Sequence, residues 1–354
     1  MGKVCTFRKG YGISKENLSS DGTPCVLYGE LYTTYKTAIA KRIKSKTSLD
    51  PTTLFHSKKN DVIIPCSGET AEDIATSVCI PYDDILLGGD LTVIRGDLDG
   101  AFLSNQINSV RKYDIARIAQ GKSIVHLQAD ELKKISIAYP TIEEQQKISG
   151  FIDKIDERIE VQNKIISKYE TLIKGLSYYI IKKFNGKEYK LGTLAEIYQP
   201  QTITKTDLPD NGKYPVYGAN GIIGYYNRFN HKESQIMITC RGSTCGTVNL
   251  STPYSWITGN SMVINIDEHK STVDKKYLYY YLKTQSFNDL ISGSGQPQIV
   301  RKPLVNLNVF LPEISQQIKL GEIIDIFEKT LKNEKEMLSA LQKQKAFLLQ
   351  SMFI

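Results

Sequence analysis

Residues that could carry catalysis or bind a metal ion do not come together in this sequence. The adjacent carboxylates Asp83 and Asp84 could hold a metal ion in a nuclease, but no Glu-x-Lys follows them within a short strand, so a solvated turn is the simpler interpretation. The four histidines lack ligand spacing; they are His56, His126, His231 and His269. A Gly-x-x-x-x-Gly-Lys-Ser/Thr loop, an Asn/Asp-Pro-Pro-aromatic run and a Gly-rich loop suited to S-adenosylmethionine are also missing. The sequence therefore predicts neither an enzyme nor a metal site.

An internal repeat shows that two copies of one unit fill the chain. Residues 140–181 match residues 312–353 at a constant offset, which places Pro140 on Pro312 and Gly121 on Gly293. The residues of the first copy that are identical in the second include Ile142, Gln145, Lys147, Ile152, Asp153, Ser167 and Leu176. Further upstream three blocks match in the same order: 13–18 on 203–208, 63–70 on 237–244 and 89–94 on 259–264.

Each copy is predicted to be a globular domain followed by a long helix. The predicted segments are 1–140, 141–189 (helix and linker), 190–312 and 313–354. Runs of β-branched and apolar residues between turn residues predict strands; they are 61–65, 91–94, 235–239 and 261–264. Residues 105–119 and 275–284 are predicted to be short helices. The fold class is therefore α/β, with mixed α and β structure in two similar domains.

The long segments carry heptad seams. Apolar residues between 148 and 180 alternate spacings of four and three, and residues 320–352 keep the same frame. Two such seams in one chain most simply form an antiparallel intramolecular coiled coil, which implies circular pseudo-two-fold symmetry. Separate amphipathic helices, each packed on its own domain, are the alternative. Gln162 and Glu334 share one polar position near the two midpoints, so we expect them to meet and fix the register.

Composition narrows the class of protein. Of 354 residues, 41% are hydrophobic and 23% charged, which allows folded cores. The net charge of +7 resides mainly in the globular parts and permits an acidic partner. No apolar run is long enough for a membrane-spanning helix, and the N-terminus lacks a signal peptide. Six scattered cysteines without a CxxC pair predict reduced thiols in a cytoplasmic protein.

The start of each long helix resembles a region of the Type I restriction–modification specificity (S) subunits. Residues 140–148, Pro-Thr-Ile-Glu-Glu-Gln-Gln-Lys-Ile, carry the resemblance, and residues 312–320 are its second copy, with Gln316 where the family usually shows Glu. Residues 240–244 and 294–298 are similar to that family's target recognition domains. Domain order, helix repeat and length extend the resemblance over the whole chain.

This resemblance implies a non-catalytic subunit that reads a split sequence in double-stranded DNA. Each target recognition domain would read one half-site, and the helices would set the spacer. Two methyltransferase (M) subunits would bind along the helices, and restriction (R) motor–nuclease subunits would join them. S-adenosylmethionine, ATP and Mg²⁺ would belong to those partners, with no cofactor in this chain. The specificity subunit of a Type IIB-like system has the same layout and stays open as an alternative.

Candidate DNA contacts lie in loops that the two domains share in place but not in residue type. Arg241 can pair bidentately with guanine, Glu69 can accept from cytosine, and Gln298 suits adenine. The first-domain candidates are Lys15, Tyr28, Tyr32, Ser67, Glu69, Lys122 and His126. The second-domain candidates are Lys205, Tyr217, Asn220, Tyr225, Arg241, Ser243, Thr244, Ser294, Gln296, Gln298 and Arg301. For each of them, an ordinary turn or surface residue is the alternative.

Two other classes of protein remain as hypotheses. A coiled-coil scaffold without DNA binding would show salt-insensitive behaviour and no positive face on its domains. An enzyme hidden in the domains would need a pocket with clustered titratable groups.

Overall fold

The polypeptide divides into two units in this computed structural model, which describes residues 1–121, 124–183, 186–293 and 295–353, the side chains of 177–183 aside. The first unit contains Met1–Lys164 together with the C-terminal end of the last helix, from Glu336 onwards. The second unit is Ile165–Lys335. The division therefore cuts through both long helices, so that each domain holds part of both.

The first unit contains ten strands and six helices among its described residues. The strands are β1 (Cys5–Lys9), β2 (Leu18–Ser19), β3 (Thr23–Val26), β4 (Ser45–Thr47), β5 (Asp61–Pro65), β6 (Ser67–Gly68), β7 (Val78–Ile80), β8 (Leu86–Leu87), β9 (Leu91–Gly96) and β10 (Val125–His126). The helices are α1 (Glu30–Thr33), α2 (Ala71–Ile74), α3 (Gly100–Asn108), α4 (Lys112–Ile118), α5 (Ala129–Lys134) and α6 (Ile142–Lys183), which continues into the second unit.

The main sheet of this unit has the order β1-β9-β5-β7 and is antiparallel throughout. Side chains alternate along β5, so Val62 and Ile64 enter one core cluster while Ile63 enters another. Both faces of the sheet are therefore covered, which explains why β5 is a continuous apolar run. A smaller sheet, β2-β4-β3-β8, contains one parallel pair, β3 with β8.

The second unit contains nine strands and four further helices among its described residues. The strands are β11 (Gly186–Lys190), β12 (Glu196–Tyr198), β13 (Tyr214–Gly218), β14 (Gly221–Tyr226), β15 (Ile236–Thr239), β16 (Val248–Leu250), β17 (Trp256–Ile257), β18 (Ser261–Asn265) and β19 (Asn308–Pro312). The helices are α7 (Leu191–Leu194), α8 (Lys275–Thr284), α9 (Arg301–Val305) and α10 (Ile314–Met352).

The second unit repeats the architecture of the first. Its main sheet has the order β12-β18-β15-β16, and its smaller sheet again contains a parallel pair, β13 with β17. The backbone N–H of Cys66 donates to the carbonyl of Asp90 at 2.7 Å, and that of Cys240 donates to Asn260 at 2.9 Å. The two matched blocks of sequence thus make the same contact. The predicted mixed α/β fold with two similar domains is confirmed.

One predicted helix is wrong in its extent. We predicted a single helix over 105–119, but α3 ends at Asn108 and α4 begins at Lys112. Ser109 breaks the helix: its backbone leaves the helical region, at φ −116° and ψ −97°, and its hydroxyl donates to the carbonyl of Asn105 at 2.6 Å. Such a bond offers the backbone an alternative to helix continuation. The other predicted helix, 275–284, matches α8.

The repeated glutamine of each long helix joins that helix to its domain. The Gln145 amide oxygen accepts from the N–H of Asp99 at 2.9 Å, and its nitrogen donates to the carbonyl of Pro140 at 2.9 Å. Gln317 makes the equivalent bonds to Asp274 at 2.9 Å and to Pro312 at 2.8 Å, and a third to the carbonyl of Thr272 at 3.1 Å. Both glutamines are buried, at 2% and 1% exposure.

Within the first unit, α6 and α10 run antiparallel. Ile148 lies beside Met352 in the wall of one cavity, and Asp156 forms an ion pair with Lys345. Residue numbers therefore increase along α6 in the direction in which they decrease along α10. Within the second unit the rings of Tyr169 and Phe327 lie 6.1 Å apart, and Lys335 pairs with Glu170 at 2.7 Å. The two helices are thus also joined by an ion pair, Asp156–Lys345, which the heptad pattern did not predict.

Candidate nucleic-acid interface

In the first domain, two of the predicted contact residues form adjacent positions of one small β-ladder. Strand β10 pairs antiparallel with β6, which sets His126 opposite Ser67. The ladder is closed by the N–H of Leu127, which donates to the carbonyl of Cys66 at 2.8 Å. Side chains from two distant stretches of sequence therefore meet at one tip, where His126 is exposed and Ser67 half-buried.

The second domain builds the same tip from different side chains. An isolated antiparallel bridge joins Arg241 to Gln298, and the N–H of Ile299 donates to the carbonyl of Cys240 at 3.0 Å. Arg241 and Gln298 are both exposed. A guanidinium and a primary amide, the two groups best suited to bidentate pairing with purine edges, thus stand side by side.

A tight loop carries the outer residue of each pair. The N–H and C=O groups of Gln120 and His126 bond each other, at 2.9 and 2.7 Å, and Ser292 and Gln298 do the same at 2.8 and 2.9 Å. Each loop turns on a glycine with positive φ, Gly121 at +138° and Gly293 at +90°. A Cβ at Gly121 would lie 1.9 Å from the carbonyl oxygen of Ile124, and one at Gly293 would lie 2.5 Å from that of Gln296. Only glycine fits there.

A third loop reaches each tip. The Tyr32 hydroxyl, on α1, donates to the carbonyl of Ser67 at 2.7 Å, and burial raises the pKa of this phenol, so it stays neutral. In the second domain the Thr244 hydroxyl donates to the side-chain oxygen of Asn220, which lies in the turn between β13 and β14. The structure therefore gathers three loops per domain.

Lys15 and Lys205 also occupy equivalent places. Each opens a short 3-10 helix, Lys15–Asn17 and Lys205–Asp207, behind a capping box formed with Ser14 or Thr204. Both lysines are exposed. The capping boxes account for the polar residues that flank each lysine. The ammonium groups take no part in the capping, so they could contact phosphate.

The other predicted contact residues differ in their exposure and in their bonds to the domain. Tyr28 and Tyr225 are 39% and 49% exposed, and Glu69, Ser243 and Gln296 are exposed. The Arg301 Nε donates to the carbonyl of Ile197 at 2.6 Å, which ties this guanidinium to β12. Lys122 and Ser294 lie outside the described residues.

The prediction for Tyr217 is wrong. Its ring is only 8% exposed and packs in a core cluster with Met237, Ile257 and Val263. Its hydroxyl lies within hydrogen-bonding distance of the backbone and side chain of Thr252, at 3.2 and 3.4 Å. Strand β13 directs this residue inward, so the tyrosine stabilises the domain instead of facing a ligand.

The thiols beneath the two tips are neutral packing groups. Burial raises the pKa of both Cys66 and Cys240. The Cys66 sulfur contacts the Thr92 hydroxyl at 3.1 Å, and the Cys240 sulfur lies 3.6 Å from the carbonyl of Gly259. A thiol with a raised pKa is a poor nucleophile, so these cysteines support the loops without adding chemistry.

Sequence reasoning missed positive charge near the first tip. The Lys36 ammonium donates to the carbonyl of Tyr32 at 2.7 Å, which places it beside the loop that contacts Ser67. Lys36 is exposed, as are Arg42, Lys44 and Lys46 a few residues later. The cluster of basic residues after position 40 was visible in the sequence, and its first member, Lys41, forms ion pairs with Asp153 and Glu157 on α6.

The carboxylate pair and two of the histidines, His56 and His231, have structural partners. Asp84 lies in an exposed bend at φ +61° and contacts the His56 ring at 3.2 Å, while Asp83 accepts from the N–H of Lys59 at 2.8 Å. His231 is buried between Tyr198 and Asn230, which bond its two ring nitrogens. Across the residues that the structure describes, no three His, Cys, Asp or Glu side chains gather as a metal site would require.

Comparison with known proteins decides the family. The model of the Type I restriction modification DNA specificity domain matches residues 1–171 and 185–343. The chain belongs to this family. The sequence resemblance is thereby confirmed, and the two matches correspond to the two repeats, each a specificity domain with its long helix.

Several specificity subunits are similar in sequence. The specificity subunit of the type I enzyme EcoprrI from Escherichia coli is 27% identical over 152 residues, which are 42% of this chain and 37% of that protein. A putative type I specificity subunit from Mycoplasma pneumoniae is 24% identical over 206 residues, 54% of this chain and 55% of the relative. The chain therefore spans between about a third and about half of these two relatives.

Solved specificity subunits share the fold. The S subunit of a Type I restriction–modification system from M. genitalium superposes with a TM-score of 0.73 at 18% identity, covering 100% of this chain and 94% of that one. A chain from a structure describing complex assembly and conformational transition of the type I system gives 0.54 at 15% identity, covering 99% and 95%. Within the described residues, no helix combines the length and apolarity needed to span a membrane.

Proposed function

We propose that this chain reads a bipartite sequence in double-stranded DNA, with one half-site for each repeated domain. The observation that carries the proposal is the repeated tip: an equivalent antiparallel bridge presents Ser67 and His126 in one domain and Arg241 and Gln298 in the other. A shared scaffold with different side chains at one place suits two domains that read different bases.

The long helices suit two further tasks. The 42 residues of α6 would span about 60 Å, so the helices would set the distance between half-sites. Large apolar side chains are also exposed along both helices, and we infer that partner subunits cover them. These side chains are Ile142, Phe151, Val161 and Leu172 on α6, and Ile318, Ile323, Ile326, Met337 and Phe347 on α10.

These surfaces would bind two methyltransferase subunits, and restriction subunits would join the assembly. Methyl transfer and cleavage, with S-adenosylmethionine, ATP and Mg²⁺, would then take place on those partners. This chain would contribute sequence recognition alone, and the assembly would act on DNA in the cytoplasm.

A transplantation experiment tests the proposal. The paired substitutions Ser67→Arg and His126→Gln give the first tip the side chains of the second. The assembled methyltransferase complex would modify randomised DNA, and sequencing of the methylated sites would report both half-sites. We expect changed bases in one half-site and an unchanged second half-site, since the tips lie in separate domains.

The matched control is Tyr113→Ala, which alters an exposed residue on α4 of the same domain and should leave both half-sites intact. Unchanged methylation sites in the transplanted variant would contradict the assignment of this tip. Binding that does not weaken with added salt would favour the scaffold hypothesis, because phosphate contacts release counterions.

A further inference from the structure

The tip of the first domain presents a further side chain, that of Ile124, on the same side as His126. Exposure alternates along this loop: Ile124 is 60% exposed and Val125 is 6% exposed. His126 is again exposed, and Leu127 is 3% exposed. Val125 and Leu127 belong to one core cluster. Because successive side chains of an extended segment point to opposite sides, Ile124 shares the outer side of the tip with His126.

The second domain repeats this alternation with a different outer residue. Gln296 and Gln298 are exposed, Pro297 between them is half-buried, and Ile299 is 3% exposed. The backbones are also equivalent, because the carbonyl oxygen of Ile124 and that of Gln296 each lie against the positive-φ glycine three residues earlier. The two tips therefore present an isoleucine and a glutamine from the same place.

An isoleucine at this place restricts what the tip can contact there. Its side chain has neither a donor nor an acceptor, so it cannot read the hydrogen-bonding edge of a base. Among the four bases, only thymine presents an apolar group in the major groove, its C5-methyl group. Arginine and glutamine side chains such as Arg241 and Gln298 pair with bases in that same groove. The equivalent tip of the first domain would therefore bring Ile124 into the major groove.

We propose that Ile124 determines specificity for a thymine in the first half-site by packing on its C5-methyl group. The inference deepens the proposed function and rests on it. Residues two apart in an extended segment are separated by about 6.6 Å, and successive base pairs by about 3.4 Å. The thymine should therefore lie about two base pairs from the base that His126 contacts. In the second half-site, Gln296 should instead contact a base through hydrogen bonds, as glutamine does with adenine.

Sequencing of methylated sites tests the assignment. The assembled methyltransferase complex modifies randomised DNA, and the half-sites of the parent are compared with those of Ile124→Ala and Ile124→Gln. We expect Ile124→Ala to relax one thymine position of the first half-site and Ile124→Gln to favour adenine there. The second half-site should be unchanged in both variants. The matched control is Tyr113→Ala, which alters an exposed residue on α4 of the same domain and should leave every position unchanged.

Removing the methyl group from the DNA tests the contact itself. Deoxyuridine replaces that thymidine in a duplex that carries the parent's target, and binding by the complex is measured. We expect binding by the parent to weaken about fourfold, which corresponds to the loss of one buried methyl group. Binding by Ile124→Ala, which already lacks the contact, should not weaken further. An equal loss in both proteins would overturn the proposal, because the methyl group would then contact another residue.

Two other results would overturn the inference and leave the proposed function intact. One is an unchanged base preference at every position in Ile124→Ala. The other is weaker binding of this variant to all sequences without a change of preference, which would indicate a wedge between base steps or a contact with a partner subunit. A parent complex whose methylated sites show no sequence preference would contradict the proposed function itself, and this inference with it.

Discussion

Arg241 and Gln298 are joined by an antiparallel β-bridge and are both exposed at one tip of the second domain. The two residues are far apart in the sequence. Ser67 and His126 form the equivalent bridge in the first domain, so the contact belongs to both repeats. Neighbouring side chains on such a bridge would read adjacent bases.

Replacing Arg241 with Ala should therefore relax one base position of the second half-site. A bidentate arginine–guanine contact contributes about 1–3 kcal/mol of discrimination, and its loss should leave the first half-site unaffected. Sequencing of the sites methylated by the assembled complex measures both effects. Uniformly weaker binding without relaxed specificity would instead make Arg241 a phosphate contact.

Replacing Gln145 or Gln317 with Ala should destabilise the corresponding domain. Each substitution leaves a buried N–H and at least one carbonyl without its partner, which costs about 1–3 kcal/mol. Urea unfolding measures the free energy, and the exposed neighbour in Gln146→Ala is the matched control. An equal effect of the control would show that helix propensity, and not the buried bonds, is responsible.

The half-buried Asp325 and the buried Asp156 should give stability profiles of opposite slope. Burial raises the pKa of Asp325, but the hydrogen bonds and charges of Lys276 and Lys329 outweigh it, so this pKa is lowered from 3.8. Asp325 thus stabilises the protein above pH ~4, and this contribution is lost as the pH falls through its lowered pKa. Burial also raises the pKa of Asp156, and there the bond from Lys345 does not compensate, so the net shift is upward.

The contribution of Asp156 is therefore greatest below pH ~4 and declines as the pH rises through its raised pKa. The variants Asp325→Asn and Asp156→Asn, compared with the parent by urea unfolding at several pH values from about 3 to 6, should show these two trends. Parallel profiles for the two variants would refute the assigned shifts.

The register of the helices stays a prediction that substitution can test. Gln162 is buried and Glu334 half-buried. If the two meet as the heptads predict, replacing both with Leu should raise the melting temperature and relax the tolerated spacer length, because buried polar groups penalise slipped registers. An unchanged spacer tolerance would assign the register to other contacts, such as Asp156–Lys345.

Inserting one matched heptad into both α6 and α10 should lengthen the spacer. Seven residues add about 10 Å, which corresponds to about three base pairs, and both half-sites should keep their bases. An insertion into one helix alone serves as the control, because it mismatches the pair and should impair assembly. Altered half-site bases would show that the helices do not set the spacing.

Sequence patterns predicted the elements that depend on local chemistry or on repetition. Helix α8 was predicted with its observed bounds, and the repeat paired Gly121 with Gly293, which both take a positive φ. Contacts between distant residues were not predictable in this way. The burial of Tyr217 depends on the direction of β13, and the function of Gln145 depends on the N–H of Asp99, which the fold brings beside it.

The glutamine joints have a consequence for inheritance. Gln145 and Gln317 bond to backbone atoms of their domains, at Asp99, Pro140, Asp274 and Pro312, and backbone atoms are present whatever the side chain. These hydrogen bonds therefore do not depend on the side chains of the domain to which the helix is attached. Recombination that exchanges one domain for another between these helices would therefore preserve the attachment, and a lineage could acquire a new target without rebuilding the rest of the molecule.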